Sequence, residues 1–375
     1  MNFDFSDDQK LLKDQAAKFL ADKCKPEDVR KILESDAPYD KALWQGLAAM
    51  GFLGTTIPEA YGGLGLGYLE LCVIAEELGR ACAPVPLSSS VYLASEAINR
   101  FGSEEQKQAW LPKVASGEAI GCFAFAEGVQ APTARTITTT LSGGKLSGTK
   151  LPVADGDVAD FAVVVVKTGS GTSEGDLSLA LVDLTGAGVS RETVSTIDPT
   201  RSHATITFDG APADLLGKEG DGWSATQDVM NCAAVLFAFE QLGGTQAALE
   251  MAKGYALDRY AFGRQIGSYQ AIKHKLADMY VKLELARGHC YYGAWALSTN
   301  SPELPLAAAG ARVAATEAFR FAAQENIQTH GGIGYTWEAN TQFYYRRSKL
   351  LGLALGAVGG WKERIVRQLE QRNAA

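Results

Sequence analysis

Two short segments have the residue types needed to hold a phosphate-bearing cofactor. One is Arg259-Tyr-Ala-Phe-Gly263, with Gln270 just beyond it; the other is Gln328-Thr-His-Gly-Gly-Ile-Gly-Tyr-Thr-Trp-Glu338. Arginine offers a fixed fork of donors that matches a pyrophosphate as few side chains can. Gly331, Gly332 and Gly334 let the backbone turn tightly and approach a ligand closely. The plainer alternative is that Arg259 pairs with Asp258 or Glu250 on a helix surface while the glycines end a helix. A third feature is Glu240, in Ala238-Phe-Glu-Gln-Leu-Gly-Gly244. It lies in an apolar helix between Val235 and Leu249, where an unpaired carboxylate is costly. It is a general base, or a buried structural acid paired with an arginine while any base lies elsewhere.

The elements around these residues fall into three stretches. Residues 1–120 read as helical: Leu12, Ala16, Phe19 and Leu20 share one helical face, and Leu71 to Leu78 form an apolar helix ending at Gly79. Between them, Ile57-Pro-Glu-Ala-Tyr-Gly-Gly-Leu-Gly-Leu-Gly67 looks like a phosphate loop but fails the dinucleotide spacing. Tyr68 stands where the last glycine belongs, and no βαβ pattern surrounds it. Residues 121–222 read as β structure, most simply a barrel. Strands are expected at Thr136 to Leu141, Phe161 to Val166, Leu177 to Leu184 and Ala204 to Phe208, with a loop at Lys167 to Gly175. From Trp223 helical periodicity returns, with helices expected over 224–258, 268–298, 305–329 and 340–371.

Composition narrows the function. The chain has 375 residues, 46% hydrophobic and 21% charged, which is ordinary for a globular protein with large cores. A net charge of −8 argues against nucleic acid as a partner, because phosphate-backbone binding needs a basic surface. No apolar run approaches the ~20 residues of a membrane span. The start, Met-Asn-Phe-Asp-Phe-Ser-Asp-Asp, lacks the features of a signal peptide. Six cysteines without a Cys-x-x-Cys pair and four dispersed histidines point to reduced thiols and no metal site. The expectation is a cytoplasmic protein bound neither to membrane nor to nucleic acid.

The order and separation of the two signatures resemble the carboxy-terminal domain of the acyl-CoA dehydrogenase flavoenzymes. The Ile-Pro-Glu-x-Tyr-Gly-Gly-x-Gly loop at Ile57, and Gly102-Ser-Glu-Glu-Gln-Lys107 with Trp110-Leu-Pro112, resemble that family's amino-terminal domain. The resemblance covers the whole chain, most nearly a compact subgroup with Glu-Gln-x-Gly-Gly and His-Gly-Gly-Ile-Gly-Tyr-Thr-Trp-Glu. It implies an all-α amino-terminal domain (1–120), a middle β-barrel (121–222) and a carboxy-terminal four-helix bundle (223–375), assembled as dimers or tetramers. It implies FAD as cofactor, with Arg259, Phe262, Gln270, Gln328, Gly331 and Gly332 as flavin contacts; in the family the Arg of Arg-x-x-Phe-Gly (Arg259) and the Gln of Gln-x-x-Gly-Gly (Gln328) reach the FAD of a neighbouring subunit. The implied reaction is α,β-dehydrogenation of an acyl-CoA thioester, as in fatty acid or sterol side-chain catabolism, with electrons passed to an electron-transfer flavoprotein.

The chain also departs from the family. The usual base follows an Arg-Asp-Ala-Lys segment, matched here by Arg346-Arg-Ser-Lys349, and its place falls at Leu355, before Gly356. In another subgroup the base sits early in the helix preceding Arg-x-x-Phe-Gly, at a position held here by Ala233 or Ala234. None of these can take a proton, which leaves Glu240 as the candidate catalytic residue. Glu240 lies two turns, ~10 Å, beyond Ala233 on nearly the same face. The small alanines would leave room for a bulky or branched acyl group. The family's Thr-Glu-Pro-x-x-Gly-Ser-Asp is matched by Ala126-Glu-Gly-Val-Gln-Ala-Pro132, and its Trp-Ile-Thr by Pro152-Val-Ala154. The chain thus keeps the part that reaches a neighbour's FAD and loses much of the part that holds its own. Two alternatives follow: a non-catalytic partner subunit of an α2β2 assembly with a sister chain, or a flavin oxidase or monooxygenase on the same fold.

Overall fold

The computed structural model describes residues 5–374. Residues 1–4, part of the start read above for a signal peptide, lie outside them. Six helices come first: α1 (Asp7–Lys23), α2 (Pro26–Leu33), α3 (Lys41–Ala49), α4 (Tyr68–Arg80), α5 (Glu96–Phe101) and α6 (Glu104–Ala115). Ser6 starts α1 with a reciprocal cap: its hydroxyl accepts from Gln9 N, and Gln9 Oε1 accepts from Ser6 N. Ala16 and Leu20, on the expected face, are buried. Helix α4 does not end at Gly79 but runs through it to Arg80. There Gly79 serves a helix crossing described below.

Seven strands follow: β1 (Gly121–Ala124), β2 (Thr140–Ser142), β3 (Lys145–Ala154), β4 (Phe161–Lys167), β5 (Leu177–Asp183), β6 (Val189–Thr193) and β7 (His203–Leu216). The pairings run β4-β2-β3-β7-β5 and return from β5 to β4, so the sheet closes on itself. β1 adds to β4 in parallel, and β6 lies beside β7. β4 is buried along Phe161 to Val166, as its unbroken apolar run requires. The β2–β3 turn is Gly143-Gly144, both at positive φ (57° and 71°), the requirement of a two-residue hairpin turn. The strand expected at Thr136 begins only at Thr140. Thr138 N and Thr139 N donate to the Glu127 carboxylate instead of to a ladder.

Helix α7 (Gly222–Asp258) leads to the short hairpin β8 (Tyr260–Ala261) and β9 (Arg264–Gln265), then α8 (Gln270–Ser298), α9 (Leu304–His330), α10 (Thr341–Leu353) and α11 (Val358–Ala374). The single helix expected over 340–371 is two. Gly356, at φ 87°, takes the chain out of helical geometry, and its N–H closes a turn on Leu353 O. The chain divides into two compact units. One comprises the described parts of Met1–Lys31, Tyr68–Ala83 and Ala234–Ala375; the other comprises Ile32–Gly67 and Pro84–Ala233. In the first, α9 packs through small residues, with Ala308, Ala311, Ala315, Ala318 and Ala322 all buried. In the second, β4 and β5 of the closed sheet are buried, as are Trp44, Leu47, Leu53 and Leu111 of its helical part. Among the described residues no helix is long and apolar enough to cross a membrane.

Candidate functional site

Arg259 follows the last turn of α7, its N–H donating to Tyr255 O at 2.9 Å. Its guanidinium makes no ion pair or hydrogen bond with any described residue, and it is exposed. Glu250, the partner that the plainer alternative offered it, is taken by Arg80 and by Gln246 Nε2. The β8–β9 hairpin turns on Phe262-Gly263, at φ 51° and 80°. Gly-Gly adopts this geometry at 143–144 without strain, whereas a bulky residue at positive φ is strained. Phe262 is nevertheless 98% exposed, so nothing within the chain rewards the strained turn. Tyr269 braces the hairpin: its hydroxyl donates to Ala261 O at 3.0 Å, and Arg264 lies 3.9 Å over its ring. Gln270 is the first, exposed residue of α8.

Helix α9 ends in the second motif. Gln328 is exposed; Gly331, at φ 63°, terminates the helix, and a Cβ built on Gly331 or Gly332 would meet nothing within 4 Å. These glycines therefore leave open room beside bare backbone. Ile333, Tyr335 and Trp337 are exposed at 55%, 75% and 48%. Arg30 anchors the loop beyond: it donates to Trp337 O, Glu338 O and Asn340 Oδ1, with its guanidinium 5.1 Å from the Phe343 ring centre. The ends of α7 and α9 are joined by a ring stack, Tyr255 on His330 at 4.2 Å. Thus Arg259, Phe262 and Gln270 fall on one connected segment, and Gln328, Gly331 and Gly332 on another held beside it.

Glu240 is not brought to that surface. It lies eighteen residues before the last residue of α7, about 27 Å along a straight helix axis. It is 1% exposed, with Oε1 3.6 Å from Arg347 Nη1. Arg347, at the position of the family's Asp, also donates to Ala83 O and Cys82 O, the latter residue at φ 50°. Gln241 accepts from Arg312 at 2.8 Å and from Thr316 at 3.1 Å, and Arg312 also donates to Leu351 O. Burial lowers the pKa of Arg312, and Glu240 opposes that shift. The glycines of Glu240-Gln-Leu-Gly-Gly244 are crossing points. A Cβ on Gly243 would sit 1.8 Å from Glu76 O, and one on Gly79 1.8 Å from Glu240 O, so α4 and α7 touch backbone to backbone. A Cβ on Gly244 would sit 2.5 Å from the Phe319 ring of α9. Every residue of the motif except Leu242 thereby has a partner on another helix of the same unit.

In the β region, Glu127 sits in the segment matched to the family's flavin loop. Its carboxylate accepts from Lys150 Nζ at 2.7 Å, from Thr138 N and Oγ1, and from Thr139 N. Lys150 is fully buried and also donates to Phe125 O. Burial opposes the Glu127 charge, but Lys150 and the threonine donors outweigh it and hold the carboxyl at about 2. Burial pushes Lys150 down to about 8. The donors present fit FAD unevenly. The exposed guanidinium and open glycine backbone suit a pyrophosphate, while Pro152, Val153 and Ala154 supply neither a stacking ring nor a side-chain hydroxyl. Among the described residues no cluster has the ligands for a metal ion, and all six cysteines are buried thiols outside any disulfide.

Sequence reasoning missed Tyr255, His330, Arg30, Arg312, Arg347 and Lys150 as organising residues. For Tyr255 the signal was its place one turn before Arg259. His330 lies inside the second motif itself. Nothing local marks Arg30, Arg312 or Lys150, whose partners are distant in sequence.

Comparison with known proteins bears on the family and the fold. The family model described as acyl-CoA dehydrogenase, N-terminal domain, matches residues 6–118, and that of the C-terminal domain matches 220–369. A relative named acyl-CoA dehydrogenase IpdE2, from Mycobacterium tuberculosis, is 32% identical over 343 residues, covering 91% of each chain. The mitochondrial isovaleryl-CoA dehydrogenase of Solanum tuberosum is 30% identical over 365 residues, covering 94% of this chain and 88% of its own. Among solved structures, a chain of the ChsE4-ChsE5 complex from Mycobacterium tuberculosis has a TM-score of 0.89 at 29% identity, covering 99% of both chains.

Proposed function

The chain belongs to the acyl-CoA dehydrogenase family, and from that premise we propose that its assembly dehydrogenates a bulky or branched acyl-CoA to the 2-enoyl-CoA, with this chain completing an FAD site across a subunit interface. The family's chemistry is FAD-dependent, and bound FAD supplies the acceptor for the acyl β-hydride. One observation carries the reading: Arg259, Phe262, Gln270, Gln328 and Gly332 are exposed and Gly331 half-exposed, and Arg259 has no partner among the described residues. Arg259 would hold the pyrophosphate through two charge-assisted hydrogen bonds. The open backbone at Gly331 and Gly332 would admit the cofactor's edge. Isovaleryl-CoA dehydrogenase as a relative supports a branched acyl group. An electron-transfer flavoprotein is the electron acceptor in this reading. Anaerobic bleaching of the flavin by a panel of acyl-CoAs tests it. Bleaching by branched or bulky thioesters is expected; a fully loaded flavin that no acyl-CoA bleaches would contradict it.

A second reading is favoured by a specific observation: the positions of the usual base are Leu355, Ala233 and Ala234, and the two alanines are fully buried. In this reading the chain is the partner that completes FAD on a sister subunit, and the sister brings the base. The ChsE4-ChsE5 structure is a complex of two named chains, which supports such a pairing. Glu240 we assign to the buried network, because it is 1% exposed and faces the buried Arg347 guanidinium at 3.6 Å. Glu240→Gln should lower stability and leave bleaching per folded, FAD-bearing molecule little changed. A loss of bleaching by a few orders of magnitude, as removal of a positioned base gives, would make Glu240 the base instead.

A further inference from the structure

We infer that Tyr255 and His330 are positioning residues, whose ring stack sets the two halves of the cofactor surface in register. The inference rests on the reading that Arg259 and the second motif contact FAD. Tyr255 lies one turn before Arg259, and Arg259 N–H donates to the Tyr255 carbonyl. His330 lies two residues after Gln328 and directly before Gly331. Their rings lie 4.2 Å apart at 24°, a stacked pair between elements that run far apart in sequence.

The orientation of His330 is fixed from a second side. Its Nδ1 is 2.8 Å from Asn326 O, one turn back in α9. A carbonyl can only accept, so Nδ1 carries the hydrogen and the ring plane is set by α9 itself. Burial also lowers the His330 pKa, which favours the neutral ring. Tyr255 thus stacks on a ring that cannot rotate without losing its hydrogen bond. One turn back, Asn326 Nδ2 lies 3.3 Å from Met251 Sδ, and the stack carries this junction on towards the Arg259 and Gly331 turns. Phe262 and Arg259 project from the hairpin, and Gly331 and Gly332 from the helix end; both depend on this junction for their mutual spacing. A cofactor contacting both would lose affinity when the junction loosens, even though neither ring need touch it.

The test is FAD affinity of the FAD-loaded assembly, read by absorbance and flavin fluorescence on dilution, for Tyr255→Ala, His330→Ala, Tyr255→Phe, His330→Phe and Arg259→Ala. Each alanine variant at the stack should bind FAD about tenfold more weakly, while the phenylalanine variants, which keep a planar ring, stay within about twofold of wild type. A merely structural role would lower melting temperature without this rescue pattern. Wild-type FAD affinity in both stack alanine variants, with Arg259→Ala still losing FAD, would overturn the positioning role. Wild-type affinity in Arg259→Ala would instead overturn the cofactor reading beneath it. If an alanine variant does not fold, the phenylalanine pair decides: tenfold weaker binding there refutes the stack, and retained binding supports it.

Discussion

Helix α7 carries one motif in its middle and another at its end, and the two use their polar groups in opposite ways. Glu240 and Gln241 are buried and engaged by Arg347, Arg312 and Thr316. The glycines after them are consumed by crossings with α4 and α9. Arg259 and Phe262 are exposed, with a guanidinium that finds no partner among the described residues and a strained aromatic turn. A motif whose carboxylate, amide oxygen and glycines are engaged within its own unit is explained by packing. A motif that holds an exposed guanidinium and a strained aromatic turn on the surface is, in the proposed reading, poised for a cofactor shared with another chain. Glu127 and Lys150 belong to the first kind: the acid matched to a flavin loop is occupied within its own sheet.

The largest effect should come from breaking the buried motif. Arg347→Met would leave Glu240 buried beside one fewer cation, a change that typically removes ~3–5 kcal/mol of stability. Chemical denaturation should show it; an unchanged midpoint would mean the pair contributes nothing. Next is the exposed motif. Arg259→Ala removes charge-assisted hydrogen bonds worth about 1.5–3 kcal/mol each, so FAD should bind at least ~10-fold more weakly. Because the Arg259 guanidinium makes no hydrogen bond or ion pair with any described residue, the melting temperature of the apoprotein should not move, and full flavin occupancy in this mutant would sink the assignment.

A smaller effect sharpens the comparison through pH. The Glu127 carboxyl titrates at about 2 in the fold and near ~4.3 when unfolded. The unfolded chain therefore takes up the proton first, and this contribution, present above about pH 5, is lost as pH falls towards 2. Lys150→Met should flatten that acid limb in a series of urea midpoints; an acid limb as steep as that of wild type would show that Lys150 does not hold Glu127 down. The smallest effect concerns Phe262→Gly. Relief of positive-φ strain offsets the added freedom of the unfolded chain, so stability should change by less than ~1 kcal/mol. Assembly or FAD binding should weaken all the same. If neither does, the exposed ring has no partner to meet.

Much of this was legible in the sequence. The helical, β, helical order follows from periodicity that switches from 3.6 to 2 and back, and the Gly143-Gly144 turn announces its hairpin. The break at Gly356 was missed because an isolated glycine within a helical pattern does not show its φ. Thr136 to Thr139 have strand-forming side chains, but Glu127 takes the Thr138 and Thr139 amides, a tertiary contact no propensity contains. The proposed cofactor motifs stand out in the sequence because their residues lie close together in the chain. The role of Glu240 was not, since whether an acid in an apolar helix is a base or a brace depends on arginines some 70 and 107 residues away, Arg312 and Arg347.

The account's central claim is that the exposed motif completes a cofactor site whose other half lies on another chain. Counting FAD per polypeptide from the visible spectrum of the purified protein, alone and co-expressed with a sister acyl-CoA dehydrogenase chain, tests it most directly. Fewer than one FAD per chain is expected alone, rising on co-assembly. One tightly bound FAD per chain in a homo-oligomer would contradict it.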